Sequence, residues 1–221
     1  MNRRFLAISA LIATIFMLTG LLLLDRPLAQ WIHGSDLANA TVFVRGLDIL
    51  DTLAGIHVSY WLASAVFVCS GLVLLALSYA TPLPRAFAAV IVLAGLIQAT
   101  TIGLMMLGKN TFGRMRPSQV LESGDWSTIW FVGGGSFPSG HSSFYFGLLL
   151  PLAAAAPRAW QRIALMLIPV FAICARIDMG KHFLSDVAAS ALIAAGTALL
   201  FATILKRWSA GPLAPERRSP P

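Results

Sequence analysis

Charge is what this chain has least of. Asp, Glu, Lys and Arg make up 11% of its 221 residues and hydrophobic letters 57%, a balance far from that of a soluble domain. So little charge also excludes a solvated, disordered chain. Cysteine is scarce too. Cys69 and Cys174 both sit inside apolar runs, which excludes a disulfide-stapled module and leaves two small buried thiols as the expectation. His, Cys and carboxylates are nowhere spaced as metal ligands, and no internal repeat stands out. The 16 Lys and Arg give a net charge of +7 without forming the basic, aromatic-interleaved stripe of a nucleic-acid binder.

What the chain has in abundance is uninterrupted apolar sequence. Phe5 to Leu24, Val58 to Ala80, Ala86 to Gly108 and Val187 to Leu205 carry no charge, and each suits a bilayer core of about 30 Å. Two further stretches, Pro138 to Ala156 and Ile163 to Ala175, are shorter or interrupted by Pro151 and Pro169. The prediction is an all-α, polytopic membrane protein with six transmembrane helices in one bundle over residues 1–208. Residues 209–221 read as a flexible cytoplasmic tail. Arg3 and Arg4 open the first span as they would a signal peptide, but its apolar run is too long for a cleaved leader.

Six spans place the termini, Thr81 to Arg85 and Pro157 to Arg162 on one face. That face holds nine basic residues against Glu216 alone, whereas the other holds seven basic and eight acidic residues. Positive charge stays inside, so the termini are expected in the cytoplasm and the long loops outside.

Three constellations fall on the outer face. Lys109, Arg114 and Arg116 crowd one helix end, just before Pro117, and such a cluster wants an anion. Gly133-Gly134-Gly135-Ser136-Phe137-Pro138-Ser139-Gly140-His141 leads straight into the fourth span. Free N–H groups at a helix start, with the Ser139 hydroxyl, make a phosphate-sized seat; a turn merely capped by Ser139 is the plainer alternative. Arg176, His182 and Asp186 close the series. If the last helix has begun by residue 182, the His182 and Asp186 side chains share a face and the carboxylate bonds one ring nitrogen, freeing the other as a nucleophile.

In order and spacing these residues resemble the type 2 phosphatidic acid phosphatase superfamily, whose pattern K-x-x-x-x-x-x-R-P, P-S-G-H and S-R-x-x-x-x-x-H-x-x-x-D reads here as Lys109 to Pro117, Pro138 to His141 and Arg176 to Asp186. Ala175 replaces the serine before the arginine. The resemblance implies that Lys109, Arg116, Arg176, Ser139 and Gly140 bind phosphate, with Arg114 an additional contact. His182 would be the nucleophile, Asp186 its orienting partner and His141 the acid for the leaving group. Cations do the work that Mg²⁺ does elsewhere, so no metal and no cofactor is expected.

The expected function is a metal-independent hydrolase of a membrane lipid phosphate or diphosphate, of the phosphatidate, phosphatidylglycerol phosphate, undecaprenyl diphosphate or lipid A type. It would act through a phosphohistidine on the extracytoplasmic face of a bacterial inner membrane. The partners are the bilayer and its lipid, and no nucleic acid. Transfer of the phosphoryl group to another acceptor, or non-catalytic transport of an anionic lipid, are the alternatives. Trp126, Trp130 and Phe131 are expected at the membrane interface, His33 and His57 outside the chemistry, and Ser35 to Ile56 as an amphipathic surface helix in which Asp48 and Asp51 carry no assigned role.

Overall fold

The computed structural model describes residues 1–35 and 38–210, and no strand occurs among them. Residues 211–221 of the predicted tail lie outside the described residues; Ser209 and Ala210 close the last helix. The first helix is continuous over Arg3–His33, built from α1 (Arg3–Thr19), a π turn (Gly20–Leu24) and α2 (Asp25–His33). The remaining helices are α3 (Thr41–Ala54), α4 (Leu62–Leu77), α5 (Arg85–Phe112), α6 (Pro117–Ser123), α7 (Gly140–Ala155), α8 (Ala159–Asp178) and α9 (Leu184–Ala210).

All six apolar stretches are helical, but their lengths sort differently from the sequence expectation. Four helical segments, Arg3–His33, Arg85–Ser123 (α5 and, after a break, α6), Ala159–Asp178 and Leu184–Lys206, are long and apolar enough to cross a membrane. They make this an integral membrane protein. The stretch expected to be shortest gains length at both ends in α8, where the backbone of Arg158 binds Gln161 Oε1. Conversely, Val58 to Ala80 yields only the 16 residues of α4, and α7 also has 16. At 1.5 Å per residue each covers about 24 Å, short of a full bilayer core.

Two apolar clusters hold the bundle together. One alanine face of α9, with Ala191, Ala194, Ala195 and Ala198, meets Leu6, Ala13, Ile97 and Leu150 from α1, α5 and α7. Small side chains let these helix backbones approach closely, which is how packing replaces the hydrophobic effect within lipid. The other cluster gathers Leu47, Ile102, Phe144, Tyr145, Ala172 and Ala175 nearer the opposite end. A fully buried amide joins three helices there. Gln98 Oε1 accepts from Ser64 Oγ at 2.8 Å, and its Nε2 donates to the Phe144 carbonyl at 3.3 Å. Large apolar side chains such as Leu22, Val66, Ile163 and Leu167 stay exposed on the outside, as a lipid-facing surface requires. The two thiols expected inside are found there as well, on the outward faces of α4 and α8.

The predicted amphipathic segment appears as α3. His57 and Asp48 meet at its exposed side, 3.3 Å apart. The Asp178 carboxylate accepts the Ala40 N–H at 2.9 Å, tying the start of α3 to the end of α8.

Candidate active site

Helix direction decides where the polar residues go. α5 and α8 end, and α7 and α9 begin, at the same end of the bundle, so Lys109, Arg176, Gly140 and Asp186 converge there although 77 positions separate the outermost two. The loops complete the arrangement. Residues 113–115 run beside 129–136, stitched by Met115 N–H to the Ile129 carbonyl at 2.8 Å and Ser136 N–H to the Arg114 carbonyl at 2.9 Å. Gly134 lies so close that a Cβ would sit 2.2 Å from the Arg114 carbonyl oxygen; only glycine fits. Lys109 Nζ donates to the Gly135 carbonyl, which joins the cation to the glycine loop.

Lys109, Arg116 and Arg176 are partly exposed and lie close enough for their charges to act on one another. His182 is in the same field and nearly sealed, 2% exposed. Burial pushes its imidazole down to about 4, and the charges of Arg176 and Lys109 add to that against the opposing pull of Asp186. The ring is therefore neutral at physiological pH. Its tautomer follows from its partner: Nδ1 is 2.7 Å from the Ser136 carbonyl oxygen, which can only accept. The proton sits on Nδ1, and the Nε2 lone pair is the nucleophilic one.

That contact corrects one expectation. His182 and Asp186 stand at ion-pair distance, Nδ1 to Oδ2 3.7 Å, rather than in the hydrogen bond expected. The helix begins at Leu184, so His182 lies in the turn before it rather than on a shared helical face. Asp186 acts one step removed. Its Oδ2 accepts from Ser136 Oγ at 2.5 Å and from the Phe183 N–H at 2.8 Å, holding the residue whose carbonyl holds the imidazole.

Arg114 is not among the cations facing this site. It is 2% exposed and clamped between Asp25 Oδ2 at 2.7 Å and Asp186 Oδ1 at 2.6 Å. Nη1 also donates to Ser185 Oγ at 2.7 Å, and the rings of Phe183 and Trp130 cover the guanidinium at 4.0 and 4.4 Å. Trp130 is thus a structural lid on a buried cation, and Trp126 packs beside Phe183; of the three aromatics expected at the interface, Phe131 is the one that projects, 73% exposed. Asp25, which the sequence reading did not select, is supplied by the π turn. Its Oδ1 also accepts the Ser185 N–H at 3.0 Å.

Ser139 caps α7, its side chain accepting from Ser142 N–H and Ser142 Oγ at 3.4 and 3.0 Å. The plain capping role and the seat of N–H groups at Gly140 coexist, since the first amides of a helix have no intrahelical partner. Next in the chain, His141 has both nitrogens occupied. Nε2 meets Asp51 Oδ2 at 2.8 Å, and Nδ1 meets the Tyr60 hydroxyl at 3.2 Å. Asp51 Oδ1 in turn accepts from the Tyr145 hydroxyl at 2.8 Å. Asp51, assigned no role from sequence, is buried at the heart of the site. One signal was readable: it lies four residues after Leu47 on the apolar face of α3, where a carboxylate must find a partner.

Lys181, His33 and Asp178 line a separate cavity of about 260 Å³ that reaches His182 but none of Lys109, Arg116, Arg176 or His141. Among the described residues, no group of three or more His, Cys, Asp or Glu side chains is placed to hold a metal ion.

Residues 85–210, more than half of the chain and all three motifs, match the family model of the PAP2 superfamily. No curated protein and no solved structure matches the chain.

Proposed function

The chain belongs to the PAP2 superfamily, whose members are phosphatases acting on phosphate esters, and from that premise we propose a metal-independent phosphatase of membrane lipid phosphates or diphosphates. One observation carries the reading: a buried, neutral imidazole with a free Nε2 stands within the field of two cations, Lys109 and Arg176, at one end of a membrane bundle. Lys109, Arg116, Arg176, Ser139 and the Gly140 N–H hold the phosphoryl oxygens. Arg176 Nε supports this, being a buried donor with no partner among the described residues; a phosphoryl oxygen satisfies it.

Nε2 of His182 attacks phosphorus as the ester oxygen leaves, giving a phosphohistidine. The proton on Nδ1 stays with the Ser136 carbonyl, which spreads the positive charge of the phosphorylated ring toward Asp186. His141 gives its proton to the departing oxygen. It then takes one from the water that attacks the phosphohistidine and releases inorganic phosphate. The cations stabilise the equatorial oxygens of the transferring group throughout.

All these groups lie at one helical end, level with lipid headgroups in a bilayer, so a phosphate can enter while acyl tails remain among the helices. Charge asymmetry between loops supports an extracytoplasmic site with cytoplasmic termini in a bacterial inner membrane, and six spans with α4 and α7 crossing at short length. Arg114 supports the site from beneath by fixing Asp186.

The test is phosphate release by the purified protein from phosphatidate, phosphatidylglycerol phosphate, undecaprenyl diphosphate and lipid A in detergent with EDTA. Release from at least one is expected, with His182→Ala lowering it by about 10⁴-fold or more. Turnover of none, or a fully active His182→Ala, sinks the reading.

A further inference from the structure

The proton donor of the proposed reaction has a partner that lies outside all three motifs and outside the segment matched by the family model. His141 Nε2 and Asp51 Oδ2 are 2.8 Å apart, with exposures of 15% and 7% for the two side chains. Asp51 does not hang free. The Tyr145 hydroxyl, donating at 2.8 Å, fixes its other oxygen, and Tyr145 is itself 3% exposed. Three elements, α3, α7 and the segment before α4, thus grip one imidazole from both sides.

The remaining face of His141 points the right way. Its Nδ1 is 3.2 Å from the Tyr60 hydroxyl, and that hydroxyl lies over the start of α7, 3.1 Å from where a Cβ on Gly140 would stand. Tyr60 also feels the charges of Arg176 and Arg116, so its oxygen borders the phosphate cradle. Burial raises the phenol above its ordinary value, and Asp51 adds to this against the two arginines; it stays protonated.

We propose that Asp51 is the positioning residue of the leaving-group acid: it binds His141 Nε2–H so that Nδ1 faces the departing oxygen at the place marked by the Tyr60 hydroxyl. This rests on the phosphatase reading above. In the protonated ring, Nε2–H stays on Asp51 while the Nδ1 proton passes to the ester oxygen as the P–O bond breaks. The Nδ1 lone pair so exposed takes a proton from the attacking water, and the ring returns to its starting state. Asp51 keeps its charge throughout and touches neither phosphate nor water.

A proton donor matters in proportion to how poor the leaving group is, which separates this role from a merely structural one. Full-length protein in detergent is assayed with dioctanoyl phosphatidate, which departs as an alkoxide, and with p-nitrophenyl phosphate, which departs as a stabilised phenolate. Asp51→Ala should lower kcat/KM, which reports only the steps up to the phosphohistidine, by about 10²-fold on phosphatidate while changing kcat/KM on the nitrophenyl ester by less than about 3-fold. Inhibition by inorganic phosphate, reporting an intact cradle, should be retained. Asp51→Asn, which keeps the volume and an acceptor for Nε2–H, should show the same selectivity with a smaller loss.

Equal losses on both substrates, or no loss on either, overturn the proposal. If Asp51→Ala no longer responds to inorganic phosphate, Asp51→Asn decides alone, and absence of selectivity there overturns it. His141→Ala is the reference. If it is selective and the Asp51 variants are not, only the present proposal fails; if it is itself unselective, or wild type turns over neither probe, the underlying reading fails.

Discussion

Two histidines share one site, and their surroundings are opposite in kind. His182 belongs to a pair that is close in sequence, His182 and Asp186, yet loose in space, 3.7 Å apart and bridged through Ser136. His141 belongs to a pair 90 residues apart in sequence, Asp51 and His141, yet in direct contact. The roles proposed for the two rings, nucleophile for His182 and proton shuttle for His141, account for the difference. A nucleophile gains from a neutral carbonyl partner that fixes the tautomer and leaves the ring uncharged until phosphorus is attacked. A group that shuttles a proton gains from a carboxylate that stabilises its cationic form. Sequence proximity and catalytic intimacy are therefore separate properties here.

The strongest way to break this comparison is to remove the support beneath the first pair alone. Arg114→Met strands the Asp25 and Asp186 carboxylates in a buried pocket. Loss of one member of such a network costs about 3–5 kcal/mol, so the unfolding midpoint in detergent should drop sharply and activity should fall with it. A variant that keeps wild-type stability would mean Asp186 is held by Ser136 and Phe183 without help.

Acidity offers a sharper and gentler probe. The His182 imidazole in the folded protein is lowered to about 4 by burial, against about 6.5 in an unfolded chain. The unfolded state therefore binds the extra proton first, and this group's contribution to stability is full above pH 6.5 and declines as pH falls toward 4. For the same reason, loss of the free enzyme's nucleophile should place the acidic limb of kcat/KM near pH 4, once substrate ionisation is allowed for. An acidic limb from His182 near 6.5 would show that the ring is more hydrated than its surroundings indicate.

Least should happen at the position where the motif departs from its family. Ala175 is fully buried in the cluster that holds Tyr145 and Leu47, near the second pair. Ala175→Ser adds a hydroxyl that can turn back to a carbonyl of its own helix. Less than about 2-fold change in phosphate release is expected; a large gain would assign the missing serine a chemical role.

The legible part of the molecule followed from periodicity and spacing. Apolar runs became helices, and Lys109, Arg116, Arg176, His182 and Asp186 came together because alternate helix directions bring their ends to one level. The misjudged lengths have a common cause: hydropathy does not register local turns and caps, so α4 begins only at Leu62, after turns bonded to the Gly55 and Ser59 carbonyls, and α8, capped at Arg158, reaches back to Ala159. Tyr60 and Ser136 were illegible, and Asp25 and Asp51 nearly so, for another reason. Each acquires meaning from a partner far along the chain, and no local pattern encodes that partner. Asp25 did leave a trace, as a carboxylate closing the first apolar run, where an ionisable group needs company.

The π turn at Gly20–Leu24 brings the Asp25 N–H to the Gly20 carbonyl, one residue further than in a regular helix. A single additional residue rotates everything beyond it by about 100°. The first helix consequently has two phases, one matched to the alanine face of α9 and one aimed at Arg114. Shortening this segment by one residue would leave every motif as it is and the run still apolar, yet swing the carboxylate away from its guanidinium. A change invisible to any motif search would thus undo the foundation on which the proposed nucleophile rests.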